Sequence, residues 1–147
     1  INNGLYSSLS GGWETPTALF NELNKEFRFT LDPCCTHENA KCKKHFTIEE
    51  NGLLQDWGGE VVFMNPPYGR EIAKWVAKAF DESRDGATVV CLLPARTDTR
   101  WFHHYCLRGE IRFLRGRQHF IDGNGGSGPA PFPSMVVIFH RGNREEK

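Results

Sequence analysis

Apolar residues recur along this chain in two rhythms, helical spacing and short unbroken runs, and their order predicts an α/β fold. Leu19, Phe20, Leu23 and Phe27 fall on one helical face, with Thr15 as the expected N-cap and Pro16 in the first turn. Positions 29–31 are a short strand candidate that ends at Asp32 and Pro33; 34–44 reads as irregular or briefly helical, and 51–57 as a turn-rich link. V-V-F-M at 61–64 is the continuous apolar run expected of a strand covered on both faces in a parallel sheet. Ile72, Trp75, Val76, Ala79 and Phe80 return to helical spacing across 71–84, Asp85 and Gly86 break it, and 87–93 is a second buried strand. Strand, helix, strand makes a parallel βαβ unit. A further helix is predicted over 98–106 on Trp101, Phe102 and Tyr105, and 110–114, 118–121 and 134–140 read as antiparallel additions to the sheet. The intervening D-G-N-G-G-S-G-P-A-P-F-P at 122–133 is turn-rich and predicted to hold no regular element.

With 147 residues the chain has one domain's worth of length, too little for a catalytic domain and a large separate recognition domain. Its 39% hydrophobic and 24% charged content is that of an ordinary soluble protein, and no stretch reaches the roughly eighteen apolar residues of a membrane span. No signal peptide is visible, although the sequence starts at Ile1 rather than Met, which leaves room for an upstream segment. Five cysteines, two of them adjacent at Cys34 and Cys35, do not suggest a secreted disulfide framework, so a cytoplasmic location is expected. Cys34, Cys35, His37, Cys42 and His45 supply soft ligands within twelve residues, but their spacing fits no standard zinc pattern and no metal is expected. Net charge is zero, yet Arg96, Arg100, Arg108, Arg112, Arg115 and Arg117 crowd a segment opposed only by Asp98 and Glu110. Such a cluster can track a phosphate backbone or simply solvate a helix and a hairpin.

The apolar run at 61–64 stops at Asn65, Pro66, Pro67 and Tyr68. Two prolines fix their own φ and drive the residues before them toward extended conformations, which makes a stiff corner. The Asn65 amide and the Pro66 carbonyl are then fixed acceptors to which an exocyclic amine can donate, and Tyr68 offers a flat ring for the planar group carrying that amine. The end of a central strand is also where α/β sheets bind ligands.

N-P-P-Y resembles the catalytic motif of N6-adenine DNA methyltransferases, and it also occurs in enzymes that methylate protein glutamine or RNA bases. The resemblance widens through W-E-T-P at 13–16, L-D-P-C-C-T-H-E-N-A-K-C at 31–42, N-G-L-L-Q-D-W at 51–57, N-P-P-Y-G-R at 65–70 and L-L-P-A-R-T-D-T-R-W-F-H at 92–103. Together these blocks resemble the phage-type, Dam-like DNA N6-adenine methyltransferase family. That likeness implies a Rossmann-like S-adenosylmethionine-dependent fold, a central, mostly parallel sheet with antiparallel C-terminal strands. It implies a single domain over 13–141, with 1–12 as an extension and 142–147 as a polar tail, in a bacterial host's cytoplasm.

Residue by residue, the likeness implies a catalytic group at Asn65, Pro66, Pro67 and Tyr68. It implies S-adenosylmethionine contacts at Trp13, Thr15, Pro16, Asp32, Cys34 and Asn65, with Glu49 or Glu50 on the cofactor ribose. The glycine-rich turn of the wider methyltransferase pattern is replaced here by Pro33, Cys34, Cys35 and Thr36. Direct in-line methyl transfer to the N6 amine of a flipped-out adenine in double-stranded DNA is the implied chemistry, with Arg70, Arg96, Arg100, Arg115 and Arg117 as candidate DNA contacts. The small size also allows a homodimer. Two competing readings are a protein-glutamine or RNA-base methyltransferase and a non-catalytic nucleic-acid-binding module.

Overall fold

The structure, a computed structural model, describes residues 14–121 and 127–142. Trp13, the 1–12 extension, positions 122–126 of the turn-rich stretch and all of the polar tail but Gly142 lie outside the described residues. Helix α1 is Thr17–Phe27, strand β1 Val61–Met64, helix α2 Ile72–Arg84, strand β2 Thr88–Pro94 and helix α3 Arg100–His104. Strands β3 (Glu110–Phe113), β4 (His119–Ile121), β5 (Ser127–Pro129) and β6 (Ser134–Phe139) follow.

The main sheet has the order β1-β2-β6-β3. β1 and β2 pair in parallel, as the βαβ pattern requires, whereas β6 runs antiparallel to both β2 and β3. This corrects the expectation of a mostly parallel sheet. The physical cause lies at both ends of the chain. Leu31 and Asp32 make only single parallel bridges, to Val62 and His45, because Pro33 ends the extended run at once. At the other end, β6 slots in reverse between β2 and β3, with Pro94 beside Ser134 and Phe113 beside Met135. Segment 119–121 does not join this sheet. It pairs with Ser127–Pro129 in a separate hairpin, so the turn-rich stretch does hold a regular element.

Alternation along the strands sorts the layers. Phe63 faces α1, where its ring meets Phe20 edge to face at 5.2 Å. Phe139 faces α2, meeting Phe80 at 5.7 Å. Helices on both faces explain why β2 and β6 are buried along nearly their whole length. Helix α3 is shorter than its pattern suggested: Thr99 caps it by accepting from the Phe102 amide, and after His104 the chain tightens into a 3-10 turn at Cys106–Arg108.

The same register places the carboxyl ends of β1, β2 and β3 and the amino end of β6 along one edge. The N-P-P-Y corner after β1 and the segments that carry Arg96 after β2 and Arg115 after β3 leave from that edge.

Candidate active site

Asp32 anchors the site. Its carboxylate is buried and accepts main-chain N–H bonds from Cys34 (3.2 Å) on Oδ1 and Lys41 (2.9 Å) on Oδ2. Burial pushes its pKa up to about 6, against the pull of those two donors, so it is mostly ionised at neutral pH. The Asp32 main chain bonds Lys44 and Phe46, and the Cys35 amide also reaches the Phe46 carbonyl. This turn is therefore closed by an aspartate side chain where a glycine-rich loop was absent.

The close approach that such a loop would supply comes from elsewhere. A Cβ on Gly52 would stand 2.1 Å from the Pro33 carbonyl oxygen, so only glycine fits behind the turn. Gly52 is in turn held by the fully buried Trp57, whose indole N–H donates to the Gly52 carbonyl at 3.0 Å. The N-G-L-L-Q-D-W block thus buttresses the turn from outside the pocket.

Asn65 leaves β1 beside this turn, and its Nδ2 donates to Thr15 Oγ1 at 2.9 Å. Thr15 was expected to be the N-cap of α1, and it is not. Pro16 occupies that position, no side chain caps the helix, and the Thr15 hydroxyl is taken by Asn65. Thr15, Asp32, Cys34 and Asn65 line one small pocket together with Glu14, Cys35, Asn39, Lys41 and Phe63. Glu14, Asn39 and Lys41 were missed from sequence because nothing in their local pattern marks them. Their position inside the quoted blocks was the only available signal.

Tyr68 takes a different direction. Its hydroxyl donates to the Leu92 carbonyl at 3.1 Å, its ring meets Phe132 edge to face at 5.6 Å, and burial raises its pKa. Phe132 also carries the Arg96 guanidinium at 5.8 Å from its ring centroid. Tyr68, Phe132 and Arg96 thus form a wall beside the Asn65 corner.

Glu49 and Glu50 lie outside the pocket lining. Glu50 accepts from the Thr47 amide at 2.6 Å, which holds its pKa down, and both acids lie within reach of the Thr47 hydroxyl. The soft ligands do not converge either, and among the described residues no group of three or more His, Cys, Asp or Glu is arranged for a metal. His37 and His45 bond one another at 2.9 Å. Cys34 and Cys35 are buried, and burial raises the pKa of both, while the Cys42 thiol is pushed up to about 12, which leaves no thiolate at neutral pH.

The arginine cluster divides. Arg96, Arg100, Arg115 and Arg117 sit on segments at the carboxyl edge and are exposed, as is Arg70 beyond the N-P-P-Y corner. Arg117 also donates to the Ala130 carbonyl. Arg112, by contrast, is committed to Glu26 and Glu110, and Arg108 packs over Phe80 at 4.9 Å. No helix among the described residues is long and apolar enough to cross a membrane.

Fold and site together define an α/β protein with a small, largely polar pocket at the carboxyl edge of its sheet. The family model described as DNA N-6-adenine-methyltransferase (Dam) matches residues 5–147. The DNA N-6-adenine-methyltransferase of Haemophilus phage HP1 is 35% identical over 135 residues, covering 86% of this chain and 77% of that protein. The protein of the same name from Escherichia phage T1 is 34% identical over 92 residues, 61% of this chain and 38% of its own length. A putative methyltransferase of Escherichia coli K12, YfdM, is 38% identical over 63 residues, 38% of this chain and 69% of its own length. The chain belongs to the DNA N-6-adenine-methyltransferase (Dam) family.

Proposed function

We propose that this protein transfers the methyl group of S-adenosylmethionine to the N6 amine of adenine in double-stranded DNA, on a Rossmann-like methyltransferase sheet. The observation that carries this reading is the juxtaposition of the Asn65-Pro66-Pro67-Tyr68 corner with a polar pocket at the carboxyl end of β1. Family membership supplies the acceptor class.

The pocket's donor set fits the amino acid end of the cofactor. Asp32 offers an anion for an ammonium, and Lys41 and Asn39 offer donors for a carboxylate. Cys34 sits in the Asp32 turn, Thr15 and Pro16 precede α1, and Trp13 directly precedes Glu14. Glu49 is the better candidate for the ribose hydroxyls, since the Thr47 main-chain amide donates to Glu50 and closes that residue's own turn, whereas Glu49 meets only the Thr47 hydroxyl, which the two acids share. When bound, the cofactor supplies an electrophilic methyl group.

The chain's own task is to make a poor nucleophile competent. The adenine amine delocalises its lone pair into the ring, and acceptors placed out of the ring plane favour a pyramidal nitrogen with a localised pair. The Asn65 amide oxygen and the Pro66 carbonyl are those acceptors, and the proline corner keeps them from reorganising during the reaction. Tyr68, held by Leu92 and Phe132, forms the wall against which the base rests. Extruding that base costs a few kcal/mol, and backbone contacts by Arg70, Arg96, Arg100, Arg115 and Arg117 offset it.

The test is to supply isotope-labelled S-adenosylmethionine with unmethylated DNA, RNA or protein separately and to identify the methylated product after digestion. The reading requires N6-methyladenine from DNA. Label in glutamine or in an RNA base would retain the pocket and replace the acceptor.

A further inference from the structure

We propose that Lys78 and Glu82, one turn apart on α2, are positioning residues that hold both halves of the proposed S-adenosylmethionine site from outside it. The inference rests on the methyl-transfer reading above. Neither residue lines the pocket. They act through the 51–57 link, which joins α2 to the Asp32 turn.

Glu82 is a buried acid, and each of its oxygens has its own donor: the Trp57 main-chain amide on Oε1 at 3.0 Å and Lys78 Nζ on Oε2 at 2.7 Å. Lys78 also donates to the Gln55 carbonyl and lies 5.5 Å from the Trp57 ring centroid. The pair therefore grips the link at Gln55 and at Trp57. From there the hold passes two ways. The fully buried Trp57 donates through its indole to the Gly52 carbonyl, and Gly52 backs the Pro33 carbonyl, between Asp32 and Cys34 of the pocket. The Gln55 side chain donates to the Glu50 carbonyl at 2.7 Å, which fixes the segment of the two ribose candidates. Slack in the pair would shift the ammonium and ribose contacts relative to one another. The Asn65 corner is held separately, by β1 and its two prolines, so the chemical step should survive.

Both partners of Glu82, a main-chain N–H and an ammonium, can only donate, which makes a carboxylate obligatory here. A carboxamide has nearly the same shape, but whichever way it turns, its NH2 faces one of the two donors and leaves it unsatisfied.

Glu82→Gln in the full chain is the test, with Lys78→Met, which keeps an apolar chain over Trp57 and removes the cation, as the second variant. Calorimetric titration with S-adenosylmethionine, well below each variant's Tm, is expected to show a Kd weakened about 10-fold in either variant, with kcat at saturating cofactor and DNA within about threefold of wild type. Ile138→Val, fully buried on β6 and outside this network, controls for a general loss of stability; it is expected to lower Tm and to keep the Kd within about threefold. An unchanged Kd in either variant that folds, an equal weakening in Ile138→Val, or a kcat that falls in step with the affinity would each overturn the assignment. A wild-type protein that binds the cofactor and methylates no DNA would sink the methyl-transfer reading, while the Kd comparison would still decide the role of the pair.

Discussion

Replacing Gly52 by alanine should damage the Asp32 turn from a position outside the pocket lining. The new Cβ would lie 2.1 Å from the Pro33 carbonyl oxygen and 3.1 Å from both the Pro33 carbonyl carbon and Trp75 Cη2. Ordinary contact begins at 3.4 Å, so the two backbones must part by about 1.3 Å. Neither side yields easily. The Gly52 carbonyl holds the Trp57 indole, Asn51 caps the 3-10 turn through Leu53, and Pro33 follows an aspartate bound to two main-chain amides. Overpacking costs about 1–3 kcal/mol, and a clash of backbone against backbone belongs near the upper figure. For a domain of this size that corresponds to a fall of about 6–10 °C in Tm. Displacement of the Asp32 turn should also weaken S-adenosylmethionine binding. Thermal melting followed by circular dichroism, with calorimetric titration of the cofactor, measures both. A Gly52→Ala protein melting within about 1 °C of wild type would refute the argument that this glycine buttresses the turn.

On the proposed reading, in which Asp32 pairs with the cofactor's ammonium, cofactor affinity and stability should respond to pH in opposite senses. Its folded pKa, about 6, lies above the ordinary 3.8, so its contribution to stability is complete below about pH 4 and lost as pH rises through 6, roughly 3 kcal/mol. Glu26, Glu50, Glu60 and Glu110, whose pKa values are lowered by their hydrogen bonds, act in the reverse direction. The ionised Asp32 is the form that pairs with an ammonium, so cofactor affinity should fall about tenfold between about pH 7.5 and pH 5, and a titration that is flat across this range would contradict the assignment. Arg96→Ala should weaken DNA binding and reduce the salt slope by about one, whereas Arg112→Ala, which breaks the Glu26 and Glu110 pairs, should leave that slope unchanged; fluorescence anisotropy at several salt concentrations separates them. Tyr68→Phe removes the bond to the Leu92 carbonyl while keeping the ring, and should cost about 1 kcal/mol in urea unfolding with kcat within about tenfold of wild type.

Much of the central layer was legible because its residues obey one period. V-V-F-M, the Ile72, Trp75, Val76, Ala79 and Phe80 stripe, and the run that follows Gly86 bury most of the side chains their spacing assigns, with Val61 and Phe80 half-buried. Sheet direction was less legible, since pairing partners far apart in sequence leave no local mark. β6 reads as an apolar strand wherever it inserts, and only its register with Pro94 and Phe113 decides that most of the sheet's ladders are antiparallel. The 119–121 segment failed for a related reason: its partner lies in a stretch whose glycines and prolines hide a short strand. At the site, the Asn65 corner and Asp32 stood out through proline chemistry and strand-end position. Thr15 was visible both as a helix cap and, through the family resemblance, as a cofactor contact, but local grammar cannot see its bond to an amide fifty residues away. Lys41 and Asn39 reach the pocket only through the turn that Asp32 closes.

The most direct measurement is the formation of N6-methyladenine in unmethylated duplex DNA by wild type and Asn65→Ala, alongside the affinity of each for S-adenosylmethionine and for DNA. The account predicts product from wild type, and in Asn65→Ala a loss of at least about 100-fold in kcat with both affinities within about threefold. An Asn65→Ala protein that methylates adenine at the wild-type rate, with its ligands still bound, would contradict it.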